Sequence, residues 1–309
     1  IELARGMDIF GRMLVANGVT SVLDATVTND YDDWRILDDF CRSGSLKSRV
    51  SMMVSLEAMA DFCECGTAMS ALGAVRIGGV KVVLDEVDAG LSMKLDALEN
   101  VLVTAHLAGY QIAVHAVEGQ PLASAVNLLA KVMSKVPGKG HRHRIEHCAL
   151  CPPEVRRQIK ELGLIVVSQP GFIYQNGERY LQTVARGDIP DLYPFRSLVK
   201  EGVVVAAGSD SPVGVLSPVV GMYAAVTRRA ENGQVVGIEQ AVGPEVAIAM
   251  YTRDAAYATF GEFSFGTIAP GKRADMVVLS DNPLSCSCDQ IKNIKVEMTL
   301  VEGRVVYEV

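Results

Sequence analysis

The chain has 309 residues, 49% hydrophobic and 21% charged, which excludes a wholly disordered protein because such a composition can build a large core. A net charge of −7 argues against a nucleic-acid-binding protein, since those present a broad basic face to the phosphates. No apolar run approaches the roughly 20 residues that a membrane-spanning helix needs.

Strands and helices alternate along most of the chain. Runs rich in β-branched residues predict seven strands, at 19–27, 49–56, 80–84, 111–117, a run ending at His147, 164–169 and 203–207. Helical spacing of apolar residues predicts helices before and between them, at 3–16, 32–42, 64–75, 95–108, 121–133, 152–162 and 195–201. The span 170–194 is rich in glycine and aromatic residues and predicts a long irregular segment over a substrate pocket.

The last part of the chain changes character. Helices are predicted at 217–229 and 244–257, followed by strands at 274–279, 295–301 and 304–308. A leading helix in a βα alternation implies an earlier strand, which we expect upstream of Ile1. The prediction is therefore an α/β fold, a (β/α)₈ TIM barrel over 1–260, with residues 261–309 as a small β appendage. Its exposed edges favour self-association, so a homo-oligomer is one expectation.

Polar residues recur where the predicted strands end, about one per thirty-residue βα unit. His115 ends one strand, His147 ends the next, and Asp210 follows the last. Because the carboxyl ends of parallel strands form one rim, these side chains are predicted to converge there. Two imidazoles and a carboxylate suit a divalent metal, above all zinc, and Asp210 is the candidate general base for a metal-activated water. The alternatives are hydrogen-bonded structural histidines and an Asp210 that belongs to a turn or caps a helix.

Two neighbours of these residues carry charges inside apolar strands. Lys81 lies one unit before His115 and is a candidate metal ligand, the alternative being an ion pair with Asp85 or Glu86. Glu146 precedes His147, so strand alternation predicts that it points to the opposite face and is not a ligand.

Three further histidines are predicted to be structural. His141 and His143 spell H-x-H, yet His143 lies about 13 Å from His147 along an extended strand, towards the other end of the barrel. His106 belongs to a helix, where a surface or packing role is expected. The cysteine pairs Cys63/Cys65 and Cys286/Cys288 lack the C-x-x-C spacing of a zinc knuckle.

Because the cysteine spacing does not match a zinc site, free cysteine thiols in a reducing compartment are favoured. The predicted location of the protein is therefore the cytoplasm.

Five segments together resemble the amidohydrolase superfamily, and most closely its branch of YtcJ-type hydrolases and N-substituted formamide deformylases. They are Gly18 to Asp24, His115-Ala116-Val117, Arg144 to His147, Gly208 to Pro212, and Gly271 to Asp275. The resemblance implies a (β/α)₈ barrel beside a β-sandwich, with one or two divalent metals, usually zinc. It implies metal-binding roles for His115 and His147, a ligand and general-base role for Asp210, and a carboxylated, bridging lysine at Lys81. The family's first-strand H-x-H has no counterpart in this chain.

The predicted function is hydrolysis of a non-peptide, amide-type C–N bond in a small molecule, with Asp210 moving the proton. Gln169 ends the predicted strand at 164–169 and is predicted to contact the substrate. Two alternatives stay open: deamination of a heterocycle on the same scaffold, and a non-catalytic barrel without a metal site.

Overall fold

A sheet of seven parallel strands forms the centre of the computed structural model, which describes residues 2–64, 71–84, 92–138 and 140–309. Their order in the sheet follows their order in the chain, so each is joined to the next by a crossover. A two-residue strand, β3, pairs antiparallel with β4. The strands of this sheet are β1 (Ser21–Asp24), β2 (Arg49–Val54), β3 (Ala71–Leu72), β4 (Val75–Val83), β5 (Ile112–Ala116), β6 (Arg144–His147), β7 (Ile165–Ser168) and β8 (Val205–Ala207).

Helices fill most of the crossovers and follow the last strand of the sheet. They are α1 (Glu2–Ala16), α2 (Tyr31–Ser43), α3 (Met59–Glu64), α4 (Ser92–Leu107), α5 (Gly119–Lys135), α6 (Pro153–Glu161), α7 (Gly171–Thr183), α8 (Phe195–Lys200), α9 (Pro218–Thr227), α10 (Pro244–Tyr251) and α11 (Arg253–Ala258). Short 3₁₀ turns occur at Ile189–Asp191, Ile238–Gln240 and Cys288–Asn293. None of the helices within the described ranges is long and apolar enough to cross a membrane.

The helix boundaries follow from local capping. The side chain of Asp30 accepts hydrogen bonds from the backbone N–H groups of Asp32 and Asp33 and so satisfies donors at the start of α2. Gly44 ends the same helix in the left-handed conformation that glycine adopts without strain. The sequence therefore fixes both ends of this helix.

Register divides the parallel sheet into two chemically different faces. Val82, Val114, Ile145 and Val166 are aligned across four neighbouring strands, and all four are buried in the main apolar core. Residues one position away point to the opposite face, because side chains alternate along a strand. That opposite face carries the charged and polar residues of β4, β5 and β6.

A second sheet near the end of the chain contacts α1. Its antiparallel strands are β9 (Met276–Leu279), β10 (Val296–Val301) and β11 (Arg304–Glu308), with β10 in the middle. The Thr299 hydroxyl donates to the carbonyl of Val15 at 2.7 Å, and Arg49 pairs with Asp275 at 2.6 Å. The antiparallel arrangement of the three terminal strands was predicted in part, as a hairpin; the division at residue 260 stays a prediction.

The seven parallel strands are confirmed, whereas their closure with an eighth into a barrel stays a prediction. The irregular segment expected at 170–194 is wrong, since α7 covers its first half. Gly177 misled the prediction: it lies inside α7 where a Cβ would stand 2.7 Å from the Cβ of Ala230, so glycine serves close packing there.

Two further boundaries differ from the prediction. The helix expected at 64–75 is wrong where the chain is described: α3 ends at Glu64, residues 65–70 lie outside the described ranges, and β4 begins at Val75. Gly79 has a φ of 132° at a register shift between β2 and β4, and this irregularity hid the strand's first half. The helix expected at 244–257 is interrupted at Thr252.

Candidate active site

The polar face of the parallel sheet brings four predicted strand residues into two adjacent rows. Val83, His115 and Glu146 are in register, and so are Lys81, Ala113 and Arg144, two positions deeper. Residues two apart on one strand share a face. Lys81, His115, Arg144 and Glu146 therefore all point to the same side of the sheet.

Local backbone geometry brings His147 to His115. His147 is aligned with Ala116, one position beyond His115, so regular alternation would turn its ring away. Its φ of 72° breaks the strand geometry, and the two rings meet edge to face with centroids 4.3 Å apart. The convergence of these two histidines, predicted from their strand ends, is present in the structure.

The last residues of β7 and its extension hold His147 from two directions. The Ser168 hydroxyl donates to the His147 carbonyl at 2.7 Å, and the Nδ1 of His147 lies 2.9 Å from the Oε1 of Gln169. A carbonyl oxygen can only accept, so Nδ1 carries the proton and Nε2 keeps an unshared electron pair. This ring therefore has the tautomer in which Nε2 can bind a metal.

Buried charges surround Lys81. Arg144 donates from Nε to the Oε1 of Glu146 at 2.6 Å, and both side chains are almost fully buried. Burial lowers the pKa of Lys81, and the negative charge of Glu146 offsets part of that shift. Burial alone would raise the pKa of Glu146, but Arg144 and Lys81 outweigh it and hold that pKa below its usual value.

The prediction that Glu146 points away from the site is wrong. It assumed regular alternation between Glu146 and His147, whereas His147 is the residue that leaves the strand geometry. Glu146 shares the face of His115 and neutralises Arg144 and Lys81 there. The alternative partners of Lys81, Asp85 and Glu86, lie outside the described residues.

Asp210 lies beyond β8 on a solvent-exposed turn. Its φ is 55°, and its carbonyl accepts from the backbone N–H groups of Val213 and Gly214. The charge of Asp210 acts on Lys81, raising the lysine pKa against the larger effect of burial. Asp210 therefore lies within electrostatic range of the buried cluster. Among the described side chains, the ligand atoms of Asp210, His115 and His147 do not all lie within 4.8 Å of one another.

Residues 2–307 match the model of the amidohydrolase family, Amidohydro_3. The chain belongs to the amidohydrolase family. The expectation drawn from its motifs is thereby confirmed.

Two known proteins are similar to part of this chain. N-substituted formamide deformylase of Arthrobacter pascens is 32% identical over 168 residues, which is 53% of this chain and 31% of the relative. The putative amidohydrolase YtcJ of Bacillus subtilis is 25% identical over 216 residues, 69% of this chain and 40% of the relative. The chain thus spans less than half the length of either relative.

A solved structure of similar fold is a metal-dependent hydrolase of unassigned function from Pyrococcus furiosus. It is 25% identical with a TM-score of 0.75, and the match covers 90% of this chain and 60% of that one. The parallel sheet with its crossover helices is therefore a fold that the chain shares with that metal-dependent hydrolase.

A second histidine group of the chain lies near the other ends of β5 and β6. His106, His141 and His143 place one ring nitrogen each within 4.8 Å of the others, which is compatible with a metal ion by distance alone. We call these three residues the histidine triad. His106 belongs to the last turn of α4 and is buried, and His143 directly precedes β6.

Hydrogen bonds already use most of the triad's nitrogen atoms. The N–H of Ile112 donates to the Nδ1 of His143 at 3.0 Å, which leaves the proton of a neutral His143 on Nε2. That Nε2 lies 2.8 Å from the Nδ1 of His106, and the Nε2 of His106 lies 2.8 Å from the carbonyl of Val136. Every bond has one donor and one acceptor if the protons are placed in this order.

A metal at the triad would disrupt this order. Binding through the Nε2 of His143 would move the ring proton to Nδ1, against the N–H of Ile112, whereas metal-bound histidines normally donate their other N–H to an oxygen. Burial, followed by the charges of His106 and His141, lowers the pKa of His143 to about 3. This arrangement supports the predicted structural role of His143 and a packing role for His106.

One motif next to the site was missed in the sequence. Cys148 and Cys151 have C-x-x-C spacing and are both buried directly after His147. A hydrogen bond with Cys151, together with burial, raises the pKa of the Cys148 thiol well above its ordinary value. Thiols held in this protonated state are poor nucleophiles and poor ligands.

Proposed function

We propose that this chain carries the catalytic face of a metal-dependent hydrolase that cleaves a non-peptide, amide-type C–N bond in a small molecule. The observation that carries the proposal is the pair of touching rings of His115 and His147 beside buried Lys81. Family membership supports it, because the pair lies where strand ends meet in this fold.

The residues present fit a divalent metal. His147 donates its Nδ1 proton to Gln169 and keeps an electron pair on Nε2 for a metal, as expected of a histidine ligand. Imidazole nitrogen is a donor that zinc prefers, and zinc is the metal we propose. When bound, such a metal activates water and polarises the scissile carbonyl.

Lys81 and Asp210 supply the remaining chemistry. Burial lowers the pKa of Lys81, which favours its neutral amine. A neutral amine can add carbon dioxide and release a proton to form a carbamate, whose oxygen would be a further ligand. Asp210 is exposed at the end of the series of strands, where it can take the proton of the attacking water and return it to the leaving nitrogen. Arg144 and Glu146 hold the charge balance around Lys81.

The class of substrate follows from the relative with the higher identity, whose name specifies N-substituted formamides. A small N-substituted amide is therefore the substrate class we propose. Action in the cytoplasm and assembly into a homo-oligomer remain part of this proposal.

The experiment is a zinc analysis and an N-substituted formamide screen on the 309-residue chain and on the longest gene product that contains it. We expect zinc-dependent release of amine and formate. Asp210→Asn should lower kcat by about 100- to 10,000-fold, the usual contribution of a general base. Asp281→Asn, which changes an exposed carboxylate near β9, is the matched control and should leave kcat unchanged.

Unchanged turnover in Asp210→Asn would overturn the proposed role of that residue. Release of ammonia from aminated heterocycles, without amide cleavage, would support the deaminase alternative instead. Absence of zinc from both proteins would favour the non-catalytic alternative.

A further inference from the structure

The hydrogen bond between His147 and Gln169 lies in a dry part of the molecule. His147 is 8% exposed and Gln169 is 4% exposed, and their side chains meet at 2.9 Å. A buried amide is costly to leave unbonded, so a buried Gln169 requires this partner. A side chain so enclosed presents little surface to a substrate.

The orientation of the amide has a chemical consequence. The oxygen of Gln169, not its nitrogen, faces the ring, so Nδ1 of His147 is the donor and Nε2 is the basic nitrogen. The reverse orientation would put the ring proton on Nε2 and block that atom as a ligand. Gln169 therefore selects between a ring that can bind a metal through Nε2 and one that cannot.

The backbone of His147 needs similar support. A φ of 72° is uncommon for a residue other than glycine and persists where the surroundings hold it. The hydroxyl of Ser168, which is fully buried, donates to the His147 carbonyl and fixes this conformation. Two consecutive residues, Ser168 and Gln169, thus hold the backbone and the ring of the same histidine.

We propose that Gln169 is a positioning residue that fixes the tautomer of His147 and thereby sets the affinity of the site for zinc, an inference that rests on the proposed function. This role differs from the substrate contact predicted from the sequence. Outer hydrogen-bond partners of metal ligands typically change metal affinity by about 10- to 100-fold when they are removed.

The test compares four proteins by competition with a chromophoric zinc chelator. Gln169→Leu removes the acceptor and should weaken zinc binding about 10- to 100-fold. Gln169→Glu keeps an acceptor at the same place and should bind zinc at least as tightly as the wild type. Gln234→Leu makes the same chemical change on an exposed turn and should leave the affinity unchanged.

A second measurement reads the tautomer directly. Nitrogen-15 NMR of histidine-labelled, metal-free protein should show the proton of His147 on Nδ1 in the wild type and in Gln169→Glu. In Gln169→Leu it should show a mixture of both tautomers. A merely structural role for Gln169 would change unfolding without this spectral difference.

Two outcomes separate this proposal from the proposed function. Equal zinc affinity in wild type and Gln169→Leu, or a Gln169→Glu variant that weakens with Gln169→Leu, would overturn the role of Gln169 alone. A wild-type protein that binds no zinc would overturn the proposed function and the affinity claim with it. The NMR spectra would then still decide whether Gln169 fixes the tautomer.

Discussion

The two ends of the parallel sheet both gather histidines, yet their hydrogen bonds prepare them for different tasks. At the carboxyl end, His147 donates to a side-chain oxygen and keeps an electron pair on Nε2. At the amino end, His143 accepts a hydrogen bond from a backbone N–H and donates one from its own ring N–H to His106. Ring proximity is similar, with centroids 4.3 Å apart for His115 and His147 and 3.9 Å for His106 and His141.

The difference shows that the partner of the second ring nitrogen decides what a histidine cluster can do. An oxygen partner leaves the other nitrogen basic, while a backbone N–H partner forces the proton onto it. Distances between ligand atoms single out the triad, whereas the donors and acceptors favour the pair at the carboxyl end. The donors and acceptors carry the stronger argument because they fix where the protons are.

The largest expected effect separates the two ends by zinc content. His147→Ala should abolish zinc binding. This loss is larger than the roughly 10- to 100-fold fall in zinc affinity expected when a hydrogen-bond partner of a ligand is removed. His143→Ala should retain zinc and instead lose stability. It leaves the N–H of Ile112 unpaired in the core, at a cost of about 1–3 kcal/mol. Elemental analysis and urea unfolding of both variants provide the measurements.

The reverse pattern would break this comparison. Zinc lost in His143→Ala but kept in His147→Ala would identify the triad as the metal site. Both variants must first give the far-ultraviolet circular dichroism of the wild type, so that a lost ion is not confused with a lost fold.

The next effect concerns the buried ion pair of the polar face. Glu146→Gln should destabilise the protein by about 3–5 kcal/mol, because Arg144 and Lys81 lose their buried counter-charge. The matched variant Glu262→Gln removes the partner of Arg142 at the amino end of the sheet. The side chains of Arg142 and Glu262 are 16% and 18% exposed, compared with 3% and 5% for the pair of the polar face. Because solvent screens the more exposed pair, Glu262→Gln should lose less stability than Glu146→Gln. Equal losses in urea unfolding would contradict this reasoning.

Strand ends were the part of the site that the sequence could predict. His115 and His147 each follow an apolar run, and parallel strands bring such ends to one rim. The sequence could not predict the φ of 72° at His147, because histidine adopts this conformation only where other residues hold it. The error over Glu146 has the same origin.

Contacts between distant segments were beyond the sequence for a different reason. His143 was predicted to be structural from its distance along the strand, but its partner His106 lies on another element and is joined only by the fold. Gly177 looks like a loop residue until Ala230 is placed against it. Local pattern predicts which elements form, while packing partners require the tertiary structure.

A pH scan sharpens the comparison with a moderate effect. The pKa of His143 is about 3 in the folded protein and about 6.5 in an unfolded chain, so the unfolded chain binds the proton first as the pH falls. The contribution of neutral His143 to the free energy of unfolding is present above pH 6.5 and is lost as the pH falls. The loss is about 2 kcal/mol between pH 7 and pH 5. His106 and His141 are the titratable groups in ring contact with His143. Urea unfolding at each pH measures the slope.

A variant assigns that slope to the triad. His143→Gln removes one titrating ring, so its stability should be lower at pH 7 and should fall less steeply than that of the wild type from pH 7 to pH 5. A smaller slope remains from His141, because burial and the charge of His106 lower the pKa of that ring too. Glu146 also has a lowered pKa, but its contribution is lost only as the pH falls below its ordinary value of 4.5. A slope in His143→Gln as steep as that of the wild type would show that His143 is not the main acid-sensitive group.

The smallest expected effect tests a buried triad nitrogen without a hydrogen-bond partner among the described residues, the Nε2 of His141. A Cβ added at Gly138 would stand 2.4 Å from this atom, so Gly138→Ala must displace the ring. If the triad is structural, the loss of packing around a partly exposed ring is offset by the reduced freedom of the unfolded chain. The net change in unfolding free energy should stay below about 1 kcal/mol, with zinc content unchanged. A Gly138→Ala protein that folds normally but loses its zinc would show that His141 is a ligand, and the two ends of the sheet would then have exchanged roles.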